Sequence, residues 1–387
     1  MSPSPFPPPS SLLSLLLSQS FSFGDEIAVG GWGGERGFTE ILEASRDIAR
    51  QLVYRFGVTP LASSSSSSHP SSSHPSHYVL LACSGSSSLE LAAVGACLLL
   101  GVPFVPVDPA GPRADPKRLA GVVSALKTSA LKTSALKTSA LPSPRVVAIA
   151  LSDSDSSPNV LALASAGVHN VVTLSSSLTL TSPIGTPDDL PPPPPLPVKG
   201  SLSDRLYVLF TSGTTSSPKA VIGSHLSTLS RVLWQASRFP ASRSVPAVVA
   251  RRADLLHVDG VTELLSSTLL PNFSLHQLPQ LELESLGPAA VLGHGNVTRI
   301  TVMPEQLEQI LLALPTTDDD TLSPSSTSTL THITLSGALC PPSLLTSPHF
   351  LPPNGFFRNV TLLNFYGQTE TGGDCCFAVL RGERRQG

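Results

Sequence analysis

The sequence predicts an α/β protein made of two doubly wound α/β subdomains. An apolar run at Tyr78–Cys83 is followed by a helical segment and a second apolar run at Val102–Val107. Such a strand–helix–strand unit implies parallel strands. Strand patterns return at Thr331–Leu335 and Val360–Asn364, beyond a run of prolines, Pro191–Pro195, that predicts a stiff linker. A parallel sheet on each side of this linker is therefore expected.

The length of 387 residues allows two or three domains. The leader is rich in proline and serine, and disorder is expected there. The predicted boundaries are a disordered leader (1–22), a first subdomain with low-complexity insertions (23–180), a linker (181–204), a second subdomain (205–380) and a tail (381–387).

The elements follow from runs of apolar residues and from apolar residues at helical spacing. The predicted strands are Asp25–Val29, Tyr78–Cys83, Val102–Val107, Arg145–Leu151, Val168–Leu174, Tyr207–Phe210, Leu255–Val258, Ser274–Leu278, Arg299–Val302, Thr331–Leu335 and Val360–Asn364. The predicted helices are Thr39–Phe56, Ser86–Leu100, Asn159–Ala166, Ser224–Arg238, Val261–Leu270 and Pro304–Leu314.

Composition excludes several functional classes. Net charge is −3 and only 13 % of residues are charged, which argues against a nucleic-acid partner. No apolar run is long enough for a membrane span. The leucine patch near the start has no basic residue before it, which disfavours a signal peptide. The five cysteines lack metal or disulfide spacing, so reduced thiols and a cytoplasmic location are expected.

Three insertions could be mistaken for functional sites. His69, His74 and His77 lie in or beside a serine tract without any carboxylate or cysteine, so a flexible insertion is favoured over a metal site. A threefold ALKTS repeat at Ala125–Ser139 has a five-residue period that suits neither helix nor strand, and predicts a surface loop. Consecutive side chains at Asp318–Asp320 point in different directions, which favours a solvated loop over a metal site.

The sequence YVLFTSGTTSSPK has the composition of a phosphate-binding loop. After the predicted strand Tyr207–Phe210, short hydroxylated residues surround one glycine, and Lys219 adds a positive charge. It is not the P-loop of kinases, because Pro218 precedes the lysine and Ala220 follows it. A serine- and threonine-rich surface loop is the alternative. The candidate phosphate-binding residues are Thr211, Ser212, Gly213, Thr214, Thr215 and Lys219.

A second candidate segment comprises the ends of two later strands. Ser336-Gly337-Ala338 follows one strand, and Tyr366-Gly367-Gln368-Thr369-Glu370 follows the other. Open α/β sheets bind ligands at the carboxyl ends of their strands. Gly337 allows a flat base to approach, Tyr366 can stack on a purine, and Glu370 suits Mg²⁺. Taken alone, YGQTE could be an ordinary surface turn.

Together these segments resemble the signatures of the adenylate-forming superfamily, Y-x-x-x-T-S-G-T-T-G-x-P-K-G and N-x-Y-G-P-T-E. Ser216 and Ala220 replace glycines of the first pattern, and Gln368 replaces the proline of the second. The segment LLLGVPFVPVDPAGPR is similar to a third, structural signature. The resemblance implies that the two subdomains form the large domain of such an enzyme. It also implies ATP and Mg²⁺, with Gly337, Ala338 and Tyr366 near adenine, Gly367 among the nucleotide-binding residues, Thr369 and Glu370 at phosphate and metal, and Lys219 and Glu370 catalytic.

The segments AVIGSHLSTLSRVLW and LLNFYGQTETGGDC are similar to plant-type acyl-activating enzymes related to the β-alanine-activating enzyme. LLHVDGVTELL resembles the place where amino-acid-activating members hold the substrate ammonium, which makes Asp259 a candidate. Asp259 could instead be an ordinary acid at a helix N-terminus. His257 could instead gate an acyl pocket.

The resemblance implies activation of a carboxylic acid, such as the amino acid β-alanine, to an acyl-adenylate. Transfer to a thiol of CoA or of a carrier-protein phosphopantetheine would follow. Family members continue with a C-terminal domain that carries a lysine, and nothing after Glu370 resembles it, so a truncated chain is expected. A non-catalytic nucleotide-binding remnant is the alternative function.

Overall fold

The computed structural model describes most of the chain outside its low-complexity segments. The described residues are 12–22, 26–31, 35–59, 75–82, 86–111, 114–128, 144–151, 157–180, 202–211, 219–241, 246–278, 296–314, 329–351 and 355–381. The predicted linker lies almost wholly outside these ranges, as do most of the serine tract and of the repeat and all of Asp318–Asp320.

The described residues form mixed helices and strands in chain order. The helices are α1 (Leu12–Ser22), α2 (Phe38–Phe56), α3 (Ser87–Leu100), α4 (Pro116–Lys127), α5 (Pro158–Ser165), α6 (His225–Arg238), α7 (Val258–Thr268), α8 (Pro304–Ala313) and α9 (Pro342–Leu345). The strands are β1 (Ile27–Gly31), β2 (Arg36–Gly37), β3 (His77–Ala82), β4 (Phe104–Val107), β5 (Arg145–Leu151), β6 (Val171–Leu174), β7 (Arg205–Thr211), β8 (Lys219–Ser224), β9 (Ala247–Arg251), β10 (Phe273–Gln277), β11 (Arg299–Val302), β12 (His332–Leu335), β13 (Thr361–Gln368) and β14 (Gly373–Arg381).

The chain divides into two compact units. The first comprises Met1–Ile27, Arg36–Trp234 and Asp254–His257, and the second comprises Ala28–Glu35, Gln235–Ala253 and Val258–Gly387. This division differs from the predicted boundary in the proline-rich segment. The first unit continues to Trp234 because β7 pairs with β4, and β8 pairs with β7.

The sheet of the first unit has the strand order β6-β5-β3-β4-β7-β8. Its pairs are parallel except for the antiparallel pair of β7 and β8. Tyr78, Leu80 and Ala82 on β3 pack in one core cluster with residues of α4 and α5. The intervening residues Val79 and Leu81 are also buried, and α3 contacts β3. Because side chains alternate along a strand, both faces of this sheet are covered by helices.

The structure corrects the predicted leader. Residues 12–22 form α1 rather than a disordered segment, while residues 1–11 lie outside the described part. Leu12 and Leu16 are buried, and Leu16 lies against Gly95 of α3. Helix α3 is apolar on all sides, so it needs cover on more than one face, and the leucines of α1 contribute that cover.

The second unit contains the other sheet, in the order β14-β13-β12-β11-β9-β10-β1. All of these pairs are parallel except that of β13 with β14. Residues of α8 and α9 pack with Ile300, Ile333 and Leu362 in one core cluster, and α7 contacts β9, β10 and β14. The predicted α/β class with two largely parallel sheets is therefore confirmed.

Three local predictions are wrong. The predicted repeat loop begins too early, because Ala125–Lys127 is the end of α4 and Leu126 is buried. Leu255–Val258 is a turn leading into α7, and the strand lies earlier, at β9. His77 is the buried first residue of β3 rather than part of a flexible insertion. Strands β8 and β14 were not predicted; both pair antiparallel at a sheet edge, and neither has a clean alternation of buried and exposed residues. Among the described residues, no helix combines the length and apolarity that crossing a membrane requires.

Candidate active site

The predicted phosphate loop connects two paired strands of the first unit. Thr211 ends β7, Lys219 begins β8, and the two residues are direct partners in the antiparallel register. The structure thus brings both ends of the candidate loop together and leaves the exposed Lys219 at its mouth. Ser212, Gly213, Thr214 and Thr215 lie outside the described residues, and their role stays a prediction.

The strand before the loop is held firmly. Five consecutive residues of β7 are buried, and Tyr207 packs against Phe104 with ring centroids 6.0 Å apart. Burial raises the pKa of Tyr207, partly opposed by its hydrogen bond with Thr228. The Nη2 of Arg118 on α4 donates to the carbonyl oxygen of Phe210 at 2.9 Å, which anchors the end of β7 before the loop.

Ala220 occupies a place where the family signature has glycine. In the structure it lies in β8 opposite Phe210. Within the described ranges, the non-glycine residues with positive φ are Leu178 and Asn272, so Ala220 has ordinary strand geometry. Its side chain therefore creates no backbone strain at this position.

The second unit positions the other candidate segment at the ends of neighbouring strands. Strands β12 and β13 are parallel partners, with Leu335 opposite Asn364. Gly337 and Ala338 therefore leave the sheet beside Tyr366, whose side chain is 71 % exposed. Gly337 has φ of +87°, and a Cβ at this position would lie 3.6 Å from the side chain of Met303. An exposed aromatic ring and a bare backbone turn at one sheet edge suit a flat, stacked ligand.

Met303 was missed by the sequence reasoning. It follows β11, the parallel partner of β12, and its side chain is 44 % exposed beside Gly337. Leu339, two residues beyond the same glycine, is 91 % exposed. The rule that ligands bind beyond the carboxyl ends of strands could have identified Met303, because three successive strands end at this edge.

The predicted strand at Val360–Asn364 extends further than expected. Tyr366 and Gly367 belong to β13 itself, and the chain then turns through a short 3₁₀ helix at Thr369–Thr371 into β14. A Cβ at Gly367 would overlap the backbone of Gly373, so close pairing in this hairpin also requires the glycine. Glu370 lies exposed on the turn.

Asp259 lies in the first turn of α7, at the same end of the second unit. Its neighbour Val258 and Thr262, one turn on, face Gly373 at the start of β14. Asp259 is half-buried and occupies the position of a helix N-terminal acid, where its charge also stabilises the helix. His257 belongs to the first unit, is exposed, and lies 3.9 Å from Asp254.

A buried ion pair fixes α7 to the end of β9. Glu263 accepts hydrogen bonds from the backbone nitrogens of Arg252 and Ala253, at 3.1 and 3.0 Å. Its carboxylate lies 3.8 Å from the guanidinium of Arg251, which also donates to the carbonyl oxygen of Gly260. Burial raises the pKa of Glu263, and both arginines oppose that effect. This network fixes the position of the start of α7, and therefore the position of Asp259.

The residues present fit Mg²⁺ held mainly by a nucleotide. Within the described ranges, no group of three or more histidine, cysteine or acidic side chains could form a metal cage. Mg²⁺ at phosphate sites commonly takes one or two carboxylates, with phosphate and water as its other ligands. The exposed Glu370 fits that pattern. Lys219 belongs to the first unit and Glu370 to the second, and a single nucleotide touching both stays a prediction.

The chain is similar to several known adenylating proteins. It is 34 % identical over 153 residues to L-proline--[L-prolyl-carrier protein] ligase of Pseudomonas fluorescens, covering 39 % of this chain and 26 % of that protein. It is 28 % identical over 189 residues to the beta-alanyl-bioamine nonribosomal peptide synthetase ebony of Drosophila melanogaster, covering 49 % and 21 % respectively. The chain thus spans only about a quarter of the length of these curated relatives.

Solved structures share the fold. VinN in complex with L-aspartate matches with a TM-score of 0.66 at 16 % identity, over 97 % of this chain and 80 % of that one. O-succinylbenzoate coenzyme A synthetase (MenE) of Bacillus subtilis in complex with AMP matches with a TM-score of 0.61 at 18 % identity, over 95 % and 61 %. The profile of the family described as AMP-binding enzyme matches residues 79–387. This match includes the segment Thr211–Lys219 and the strand ends at Gly337 and Tyr366, and the chain belongs to the AMP-binding enzyme family.

Proposed function

We propose that the protein contributes to ATP-dependent activation of a carboxylic acid as an acyl-adenylate. The observation that carries the proposal is the meeting of Gly337, Ala338 and Tyr366 at the ends of two neighbouring parallel strands, in a chain of the AMP-binding family. In the reaction, a carboxylate oxygen bonds to the α-phosphorus of ATP. The bond from that phosphorus to the bridging oxygen breaks, and pyrophosphate leaves with the electron pair.

The residues of the chain act by holding and neutralising charge. Lys219 and the hydroxyls from Thr211 to Thr215 bind phosphate oxygens, which stabilises the charge that develops on the leaving group. Tyr366 stacks on adenine beside Gly337. Glu370 holds Mg²⁺, which supplies further charge neutralisation when bound.

The proposed substrate is an amino acid, and the proposed acceptor is a thiol of a carrier protein or of CoA. Support comes from Asp259, an acid at the same end of the second unit as Tyr366, which can pair with a substrate ammonium. The names of two relatives refer to proline and to a β-alanyl group, and VinN is described in complex with L-aspartate. A carrier protein is named for the proline ligase, and coenzyme A for MenE.

Nucleotide binding is the direct test. Calorimetry with ATP and Mg²⁺ should give saturable binding to the chain, and Lys219→Ala should weaken it at least about tenfold, because a charge-assisted hydrogen bond is lost. Lys117→Ala, another exposed lysine of the first unit, is the matched control and should change nothing. Absence of ATP binding in the wild-type chain would sink the proposal.

The substrate class has its own test. We expect amino-acid-dependent ATP–pyrophosphate exchange to fall at least about tenfold in Asp259→Asn, because the ammonium loses its ionic partner, while ATP binding stays unchanged. The assay is run on the 387-residue chain and, in parallel, on a fusion of this chain to the C-terminal domain of a relative. Equal loss with acids that lack an amino group would show that Asp259 has only a structural role.

A further inference from the structure

A second concave site lies at the amino ends of the parallel strands in the second unit, opposite the candidate nucleotide site at their carboxyl ends. Residues at the amino ends of the parallel strands are in register there: Arg299 pairs with His332, and His332 pairs with Thr361. On the antiparallel β14, Arg381 lies opposite Leu362, next to Thr361. This row of basic residues is remote from Gly337, which follows the carboxyl end of β12, and from Tyr366, which lies near the carboxyl end of β13.

A cavity of about 680 Å³ opens at this edge. Arg238, Arg358, Arg381 and His332 line it, and no aspartate or glutamate does so among the residues that the structure describes. Its volume is within the usual range for small-molecule sites, about 300–1,000 Å³. The volume of the cavity therefore suits a small molecule better than the flat surface of a protein partner.

The arginines are presented without acidic partners. Within the described part of the chain, none of Arg238, Arg358 and Arg381 forms an ion pair. Arg238 lies over the rings of Phe239 and Phe377, with its guanidinium carbon 5.9 and 5.7 Å from their centroids. Stacking on two rings restricts the guanidinium, so less conformational entropy is lost when it binds an anion.

The wall of the cavity is itself stabilised by a buried cation. Arg299 donates to the carbonyl oxygens of Phe239 and Pro240, at 2.7 and 3.0 Å. Burial lowers its pKa to about 10, which leaves it charged at neutral pH. This contact holds the lining residues Phe239 and Pro240 to the start of β11. Several positive charges in one cavity repel each other and produce a focused positive potential. A bound anion reduces this repulsion.

We propose that this cavity, which we call the arginine pocket (Arg238, Arg358, Arg381 and His332), binds a small phosphate-bearing anion. Planar guanidinium groups bind pairs of phosphate oxygens, and Thr361 lines the same cavity. The pocket is a separate site from the proposed nucleotide site, and its ligand can be a free phosphate compound or a phosphorylated headgroup.

Titration of the 387-residue chain with inorganic pyrophosphate tests the pocket. The chain should carry Lys219→Ala, so that the candidate phosphate loop does not contribute. Arg358→Gln with Arg381→Gln should weaken binding at least about tenfold, and added salt should weaken it further. Arg238→Gln alone should also weaken binding. Its matched control is Arg55→Gln, which should leave binding unchanged, because Arg55 also lies in the last turn of a helix and stacks on the following phenylalanine, at 5.3 Å.

A second arm identifies the source of the phosphate. If the protein sediments with vesicles that contain phosphatidic acid, and the double variant does not, the ligand is a phosphorylated headgroup. If the protein binds pyrophosphate but does not sediment with the vesicles, the ligand is a free anion. Unchanged pyrophosphate affinity in the double variant, with an unchanged thermal melt, overturns the proposal. Saturation by an aspartate-rich peptide but not by pyrophosphate also overturns it, in favour of a protein segment.

Discussion

His77 shows how one buried side chain can make stability depend on pH. It begins β3, its Nδ1 lies 3.0 Å from the hydroxyl of Ser76, and its buried Nε2 has no hydrogen-bond partner among the residues that the structure describes. Burial lowers its pKa from the usual 6.5, and nearby Arg145 lowers it further. Burial also lowers the pKa of His225, against the opposing charge of Asp204. Both histidines therefore favour the neutral form in the folded protein.

We predict that the protein loses stability on mild acidification. A depressed folded-state pKa means that the unfolded chain binds the proton first. The stabilisation is complete above about pH 6.5 and is lost as the pH falls toward the folded-state pKa. Urea unfolding at about pH 7.5 and about pH 5 should show this loss, and His77→Asn should reduce it. An identical pH dependence in the variant would contradict the assignment to His77.

Residue-level chemistry also explains why one strand was misplaced. Arg251 and Arg252 make the end of β9 look like a solvated turn, yet Arg251 is 4 % exposed and pairs with Glu263. Glu263 lies on the next helix, so the charge of Arg251 is compensated by a tertiary contact. Such a contact leaves no pattern in the local sequence. The apolar residues Leu255 and Leu256 made the following turn look like a strand, and Leu255 is in fact buried within that turn.

At the scale of elements, the hairpin of β7 and β8 shows how packing supports the candidate loop. The Cβ that alanine would add at Gly223 overlaps the ring of Tyr207, which is buried beneath β8. The glycine thus allows the tyrosine to fill the space under the strand that carries Lys219. The register of Thr211 with Lys219 depends on this fit.

We predict that Gly223→Ala destabilises the protein by about 1–3 kcal/mol, the usual cost of overpacking. In the background of Tyr207→Ala, the same substitution should cost much less, because the ring that it meets is gone. A double-mutant cycle by urea unfolding measures this coupling. Strictly additive effects would show that the clash is relieved elsewhere.

At the scale of the whole molecule, the sequence predicted the class and most elements of both sheets. Apolar runs such as Arg145–Leu151 and Arg299–Val302 are buried strands, and they were located correctly. Edge strands such as β14 were not, because their side chains are largely exposed and their partner strand supplies the order. The candidate site could be predicted as far as its segments, whereas Met303 became visible only once β11 and β12 were known to be neighbours.

The repeated ALKTS segment provides a prediction at the same scale. Helix α4 ends at Lys127 and β5 begins at Arg145, so both anchors of the connection lie outside residues 130–139. Deleting these two repeat units should change the free energy of unfolding by less than about 1 kcal/mol, since closure entropy varies slowly with loop length. A thermal melt of the deletion variant checks this, and a large loss of stability would assign the repeat a structural role.

The position of α1 has a practical consequence for anyone producing this protein. Leu12 and Leu16 shield the apolar helix α3, although they come from the very beginning of the chain. A purification tag or reporter fused ahead of Leu12 would therefore lie close in sequence to residues that cover the core. An N-terminal fusion partner is therefore better joined through a long spacer. An N-terminal truncation should stop well before Leu12.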